Sequence, residues 1–454
     1  MAILLATIIT ILLLAGLILY PWMIFGVLLL VPVVKGAAEY YFPAFQRIDL
    51  TLLTCLLAGM VALWNLIRAP RLGAPLTIPW KALACLVLLA FALAVGLAWT
   101  SAPDYGFRKA ARFVGIGIPF LILPAFLIRS RHEAQRVVRV IIVTGALTAL
   151  AVLFLPDTYF AQESFGRGYS RGTVWGSSPI IPASLAATAI ACLLTGFVVA
   201  GSASRWLRFS VLLVLPVGLY AILKTGTRSS FFALLALVML LPLFVGRGGR
   251  GKSAFVVLVA IPFAAVLGFF MIESSGGPRL TRWEDLTTAD RTQVLIEGRS
   301  HHYMFVLQNW WKRPILGRGS GSFAVDAFDQ DVPAWPHNII LEAMYETGLI
   351  GTVALLGFLW TTIRTGRRGL KLAATPTDRF LALAGFIAFL LFMMESMAHW
   401  DIDGARFLFL FAGILHAVVA QVAFAPATQY GYAPAPAQPF VPRSAFFPAP
   451  AGRQ

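Results

Sequence analysis

The sequence predicts an all-α fold in which about twelve transmembrane helices form a polytopic membrane protein with one large outer loop that contains helices. Composition is the first observation, since hydrophobic residues make up 59% of the chain and charged residues only 12%, as in integral membrane proteins. The second is that the apolar residues occur in runs of about 20, enough to span a bilayer as a helix. The third is that these runs lack the in-out alternation of outer-membrane barrel strands.

Twelve apolar runs have about the length needed to cross a membrane. The first exceeds one span and is interrupted by Pro21, so it predicts either one long kinked helix or a hairpin of two. The runs are residues 1–34, 50–67, 79–99, 110–128, 137–155, 179–200, 207–223, 229–245, 253–272, 338–363, 380–395 and 405–424.

The distribution of Lys and Arg predicts the orientation of these helices. Basic residues cluster in four short loops, which the positive-inside rule places in the cytoplasm. The net charge of +16 therefore mostly reflects orientation, and we expect no nucleic-acid partner. The clustered residues are Arg129, Arg131, Arg136 and Arg139; Arg205 and Arg208; Arg247, Arg250 and Lys252; and Arg364, Arg367, Arg368, Lys371 and Arg379.

The longest loop on the far side of the membrane suggests the domain organisation. It is a polar stretch of roughly 65 residues, and it ends in Pro336-His337-Asn338. The last part of the chain is rich in Pro and Ala with almost no charge, which is typical of disorder. We therefore expect an N-terminal transmembrane bundle (1–272), a periplasmic loop domain with amphipathic helices (273–337), C-terminal transmembrane helices (338–424) and a disordered cytoplasmic tail (425–454).

Polar side chains on the far side are the candidate functional residues, because ionisable groups at membrane depth are costly and often functional. His337 is the first of them, since an imidazole at the mouth of a helix can take a proton from a hydroxyl near neutral pH. The alternative is that His337 is an interfacial residue at a helix start that Asn338 caps.

Several arginines are expected on the same side. Arg228 lies in a short turn between two spans, and Arg167 and Arg171 lie in another outer loop. Arg299 opens a predicted amphipathic helix that runs to Lys312 and suits the bilayer surface. Plain alternatives are a snorkelling anchor for Arg228 and a solvated helix face for Arg299.

This set of residues indicates an anionic substrate held without a metal ion. Guanidinium groups stay charged and bind phosphate bidentately, so paired arginines suit a pyrophosphate whose charge grows as it leaves. The three cysteines lack metal-ligand spacing, and we expect neither a metal ion nor a cofactor. With a neutral histidine to activate a hydroxyl, the chemistry is glycosyl transfer from a lipid-linked diphosphate sugar.

Four sequence blocks resemble the O-antigen ligase and polymerase superfamily of bacterial membrane proteins. The most specific is similar to the family's His-Asn block and reads Pro336-His337-Asn338-Ile339-Ile340-Leu341-Glu342, followed by Glu346 and Gly348-Leu349-Ile350-Gly351. The others are residues 166–184; Thr225-Gly226-Thr227-Arg228-Ser229-Ser230; and Gly298-Arg299 followed by Trp310, Pro314-Ile315-Leu316-Gly317-Arg318-Gly319 and Phe323. The first block departs from the family pattern, because it has Ser177-Ser178-Pro179 where Asn-Pro is common.

The resemblance implies an inverting, metal-independent glycosyltransferase of the GT-C type in the bacterial inner membrane, with its active site on the periplasmic side. It implies His337 as the general base and Arg228, Arg299 and Arg171 as ligands of the donor's undecaprenyl pyrophosphate. Further candidates, for acceptor contacts or support, are Asn338, Glu342, Arg167 and His399.

Several functions fit this resemblance. We expect an O-antigen ligase, in which a sugar hydroxyl of lipid A-core accepts the polysaccharide, because one large outer loop lies late in the chain. A polymerase, whose acceptor is a second lipid-linked repeat unit, is the nearest alternative, and protein O-oligosaccharyltransferases resemble the pattern too.

A flippase or transporter of lipid-linked glycan is the alternative from another class. Transporters tend to place charges at mid-membrane, whereas here the ionisable residues cluster near helix ends. The exception is Glu395 with His399, Asp401, Asp403 and Arg406, which we interpret first as a structural cluster and second as an acceptor contact.

Overall fold

The computed structural model of the protein describes eight stretches of the chain and three single residues. They are residues 16–41, 49–68, 76–155, 157–162, 167–174, 178–199, 205–245 and 289–424, with residues 251, 254 and 256. The helices in this part of the chain are α1 (Ile24–Tyr41), α2 (Leu50–Arg68), α3 (Trp80–Gly96), α4 (Pro103–Arg112), α5 (Ile118–Leu127), α6 (Arg131–Phe154), α7 (Ile180–Val199), α8 (Arg205–Lys224), α9 (Arg228–Phe244), α10 (Ala289–Asn309), α11 (Ser322–Phe328), α12 (Ile339–Leu372), α13 (Pro376–Ser396) and α14 (Arg406–Ala423).

The described helices confirm a multi-pass membrane protein. Seven segments are long and apolar enough to cross a membrane, and four shorter apolar helices accompany them within the described chain. These segments coincide with eleven of the twelve predicted runs. The remaining run, 253–272, lies almost wholly outside the described residues, as does the start of the first run, so the count of twelve spans stays a prediction.

Contacts between helix ends sort the loops onto two ends of the bundle. At one end, the Arg131 guanidinium pairs with Asp378 at 2.8 Å, which joins two of the loops predicted to be cytoplasmic. At the other end, the Lys224 ammonium donates to the carbonyl oxygens of Val152, Leu153 and Leu155. We call the first end the arginine end and the second the histidine end, because His337 also lies there.

The segment 314–321 is packed between α12 and the turn that follows α3. Leu349 donates its backbone N–H to the Pro314 carbonyl at 2.8 Å, at the point where α12 is broken at Gly348 (φ 63°, ψ −156°). A Cβ at Gly348 would lie 2.4 Å from the Ile315 carbonyl oxygen, so only glycine allows this approach. From the other side, the Thr100 hydroxyl donates to the Ser320 carbonyl at 2.7 Å.

The loop helix α10 was predicted to begin at Arg299 and to reach Lys312. The structure corrects both bounds, because the helix begins at Ala289, ten residues earlier by the numbering, and a 3₁₀ turn replaces it at Trp310–Lys312. Val306 of α10 packs with Phe323 and Tyr345 in a small apolar cluster. The helix is therefore anchored on α11 and α12 and does not only rest on the bilayer surface.

An antiparallel hairpin departs from the all-α prediction. Its strands are β1 (Asp157–Gln162) and β2 (Arg167–Gly172), with Asp157 opposite Gly172. It lies in the loop between α6 and α7 and not in a span, so the helical membrane region is unaffected. Arg167 and Arg171 belong to β2, and their side chains lie outside the described part of the structure.

Candidate functional site

The start of α12 fixes the centre of the candidate site. Asn338 caps the helix, since its Oδ1 accepts the backbone N–H groups of Ile340 and Leu341 at 3.0 and 3.1 Å. An asparagine at this position satisfies donors that the first turn leaves unpaired. The capping role that the sequence suggested for Asn338 is therefore present, and it places the preceding residue, His337, just outside the helix.

His337 has an unusual backbone for a residue with a side chain. Its φ is +58°, a left-handed conformation that favours glycine and is costly for other residues. Strain of this kind persists where the surroundings over-determine it and is frequent at functional sites. In this conformation the imidazole contacts the turn between α13 and α14, at the histidine end of the bundle.

The imidazole of His337 is held in one tautomer. Its Nδ1 lies 3.3 Å from the His399 carbonyl oxygen, and because a carbonyl only accepts, Nδ1 carries the proton in this hydrogen bond. The Nε2 lone pair is then the basic position of the ring. Trp335 supports the arrangement, since its indole N–H donates to the same carbonyl at 2.8 Å and its ring meets His337 edge-on at 5.4 Å.

Burial keeps this histidine neutral. The pKa of His337 lies below its ordinary value of 6.5, chiefly because the half-buried ring loses water that would solvate the imidazolium. The hydrogen bond to the His399 carbonyl favours the charged form, and the Arg299 guanidinium disfavours it. Above that pKa, the Nε2 lone pair is available to accept a proton.

The turn at residues 397–403 carries the carbonyl that holds His337. Asn338 Nδ2 donates to the Met397 carbonyl at 3.2 Å, and Glu342 Oε2 accepts the Ile402 backbone N–H at 3.0 Å. The start of α12 therefore binds both ends of the turn.

The segment containing Arg228 is brought to the same place. Ser229 Oγ and His399 Nε2 form a short hydrogen bond, so Arg228 is adjacent in sequence to a residue that contacts the turn holding His337. Arg228 is the first residue of α9, and it is half-buried. Glu395, fully buried, accepts the Ser230 hydroxyl at 2.5 Å, which ties this segment to α13 as well.

Arg299 approaches His337 from α10. It is exposed, and three residues along the helix His302 stacks on His337 with ring centroids 5.9 Å apart and planes at 23°. Residues three apart share a helix face, so Arg299 and His302 both belong to the side of α10 that faces the histidine. The sequence did not predict His302 as a site residue.

A buried ion cluster lies next to this site, around Glu342 and Glu346 in the first turns of α12. Lys109 of α4 has no exposed surface and contacts the carboxylates of Glu342 and Glu346, the latter at 2.7 and 2.8 Å. Glu342 was predicted as an acceptor contact or a supporting residue, and complete burial in this cluster favours support. Lys109 itself was missed, because nothing in its sequence neighbourhood indicates partners more than 200 residues away.

The candidate site therefore unites most of the residues that the sequence singled out. His337, Asn338, Glu342 and His399 are linked by direct contacts, Arg228 joins through Ser229, and Arg299 joins through the face it shares with His302. Arg167 and Arg171 are not placed, since their side chains lie outside the described part.

Comparison with known families agrees with this location. Residues 213–356 match a family model described as O-Antigen ligase, which confirms for this region the resemblance to the O-antigen ligase and polymerase superfamily. The matched region contains Arg228, Arg299, His337, Asn338 and Glu342 and excludes β2 and His399. A search of curated proteins finds no match for the chain.

Proposed function

We propose that this chain, a multi-pass membrane protein carrying an O-antigen ligase family region, is an inverting glycosyltransferase that moves a polysaccharide from undecaprenyl pyrophosphate to a sugar hydroxyl. The observation that carries the proposal is the state of His337. Its backbone is left-handed, burial favours its neutral form, and its hydrogen bond to the His399 carbonyl puts the proton on Nδ1, which leaves Nε2 as the basic nitrogen.

In this proposal His337 is the general base. Its Nε2 accepts the proton of the acceptor hydroxyl while the oxygen attacks the anomeric carbon of the donor sugar. The new glycosidic bond forms as the bond to the pyrophosphate oxygen breaks, with inversion at that carbon, and the electron pair leaves on the carrier pyrophosphate. The imidazolium that results is stabilised by its Nδ1–H hydrogen bond to the His399 carbonyl.

The arginines stabilise the leaving pyrophosphate. Arg228 begins α9, and the unpaired N–H groups and positive dipole of a helix start favour an anion there. Arg299 is exposed on α10, where it can bind the same group bidentately from the loop side. Arg171 of β2 stays a proposed third ligand, and Arg167 a proposed acceptor contact. No metal ion or cofactor takes part in this mechanism.

An apolar crevice supports a lipid-linked donor. It is lined by apolar residues of α7, α8 and α9, among them Leu219, Phe231 and Leu234. Phe231 lies three residues below Arg228 on α9, which is about 4.5 Å along the helix. A pyrophosphate at Arg228 would therefore leave its polyprenyl chain next to an apolar surface.

The acceptor we propose is lipid A-core, with the site facing the periplasm of the bacterial inner membrane. The charge distribution supports this orientation, since the basic clusters at residues 129–139 and 364–379 lie at the arginine end, which the Arg131–Asp378 pair joins, and His337 lies at the opposite end. A repeat-unit polymerase would use the same residues, so the products decide between the two reactions.

The test is the fate of surface glycan in cells that carry His337→Ala in place of the wild-type chain. Gels and mass spectrometry would separate lipid A-core species from carrier-linked species. Long polymer stranded on the carrier, with bare core, is the expected result for a ligase. Single repeat units on carrier or core would show a polymerase instead, and a wild-type pattern would contradict a transferase that uses His337.

A further inference from the structure

We propose that His302 is a further substrate-binding residue, whose ring N–H donates a hydrogen bond to the donor's diphosphate beside Arg299. The inference rests on the proposed function and adds a ligand that the four sequence blocks do not contain. His302 is stacked on His337 at 5.9 Å, so it borders the position that the reacting groups would occupy.

The surroundings of His302 fix its orientation. Phe323 and Phe328 meet the ring edge-on at 5.7 and 5.5 Å, and His337 covers one face. A ring packed on three sides by aromatic groups cannot turn freely. It therefore presents one defined edge to any ligand at the mouth of the bundle.

The hydrogen-bonding of the ring indicates which nitrogen carries the proton. Nδ1 is closed off from water and has no hydrogen-bond partner within the described chain. A buried N–H without a partner is rare because it is costly, whereas a buried lone pair is tolerated more easily. The proton is therefore on Nε2, and since the side chain as a whole is only half-buried, the Nε2 edge is the one that can meet a ligand.

The His302 ring is suited to act as a neutral hydrogen-bond donor. The pKa of His302 lies below its ordinary value, first because the ring is partly buried and then because His337, His301 and Arg299 disfavour a second positive charge nearby. A neutral imidazole with a fixed N–H can donate a hydrogen bond to an anionic oxygen. It does so without taking a proton from His337. Such charge-assisted hydrogen bonds are stronger than neutral ones.

The test uses the purified full-length chain and geranyl diphosphate, a short water-soluble polyprenyl diphosphate, as the probe. His302→Phe keeps a ring for the stacking and the aromatic packing but removes the N–H, and His302→Gln restores an N–H donor on a side chain of similar reach. His301→Phe is the matched control, since His301 is the exposed neighbour on the same helix. Binding is measured by isothermal titration, and thermal melting of each variant is measured alongside.

The expected result is a loss of affinity for geranyl diphosphate of about tenfold in His302→Phe, partial recovery in His302→Gln and no change in His301→Phe, with unchanged melting temperatures. Wild-type binding by His302→Phe would overturn the inference, as would no binding of the probe to the wild type. A shift in the pH profile of transfer without a change in probe binding would also overturn it, because His302 would then act only through His337. A wild-type chain that binds the probe but transfers no glycan would defeat the proposed function and leave this inference standing.

Discussion

Two neighbouring sets of ionisable groups near the start of α12 are held in opposite ways. We call Lys109, Glu342 and Glu346 the buried side, and His337 with the residues around its ring the reactive side. On one side Lys109, Glu342 and Glu346 are fully buried and contact one another. On the other side His337 is half-buried, and among the residues that the structure describes its hydrogen bond is the one from Nδ1 to the His399 carbonyl. Removing one partner from a buried ion pair is strongly destabilising, so the first group is suited to a structural role, whereas a partly buried base with a perturbed pKa is suited to chemistry.

This contrast explains why two neighbouring parts of one sequence block have different roles. Glu342 lies only five positions after His337, yet it points to α4 and to the turn at residues 397–403. Its contacts keep that turn, and with it the carbonyl of His399, in place. The buried side therefore positions the side that we propose to be reactive.

The largest effect should come from breaking the buried side. Lys109→Met leaves the carboxyl groups of Glu342 and Glu346 buried without a cation, and we expect it to destabilise the protein by about 3–5 kcal/mol. Thermal melting of the purified chain measures this. Adding Glu342→Gln and Glu346→Gln to Lys109→Met should restore most of the stability, because no uncompensated charge remains. A single Lys109→Met variant that melts like the wild type would contradict a structural role for the cluster.

The next effect concerns the arginines on the proposed reactive side. Arg228→Lys and Arg299→Lys keep the charge but lose the bidentate geometry, so each should lower kcat/KM for a lipid-diphosphate donor by about tenfold. Arg367→Lys is the control, since Arg367 is exposed at the arginine end. If the two lysine variants turn over donor as fast as the control, the arginines supply only general surface charge.

A smaller effect is expected at Asn338, which joins the two sides. Asn338→Ala removes the helix cap and should cost about 1 kcal/mol of stability. Asn338→Asp keeps an acceptor for the cap but loses the amide donor to the Met397 carbonyl. We therefore expect Asn338→Asp to retain stability while glycan transfer falls several-fold, as measured by melting and by a transfer assay. Equal activity of Asn338→Asp and the wild type would separate the 397–403 turn from catalysis.

The pH dependence of transfer should follow His337 alone. The neutral ring is the base, and burial lowers its pKa below the ordinary 6.5, so activity should be full near neutral pH and fall as the pH drops through that lowered value. A profile of kcat/KM against pH measures the midpoint. An acid limb centred above 6.5 would mean that a different group limits the rate.

Local signals in the sequence were enough to predict the helical membrane region and the helix start at residues 336–338. Runs of apolar residues anticipate the spans because bilayer thickness fixes their length. Pro336-His337-Asn338 anticipates a helix start because proline and asparagine have defined roles there.

The remaining features depend on contacts between distant parts of the chain. Lys109 and Glu346 form a hydrogen bond although 237 positions separate them in the sequence, so no local pattern predicts the pair. The stacking of His302 on His337 is likewise a contact between distant residues, and the sequence does not predict it. The early start of α10 was missed because residues 289–298 carry few apolar side chains in a helical period. The β1–β2 hairpin was missed because β2 contains two glycines and two arginines and lacks the apolar alternation of a strand.

The most direct test of the account compares His337→Ala with His132→Ala in purified protein reconstituted in nanodiscs. His132 is an exposed histidine at the arginine end, so it controls for the loss of a histidine as such. The rate of transfer from a defined undecaprenyl-pyrophosphate glycan to lipid A-core is measured, with thermal melting alongside. The account predicts a loss on the order of a hundredfold or more in His337→Ala alone, with unchanged melting. Equal rates in the two variants would contradict His337 as the base.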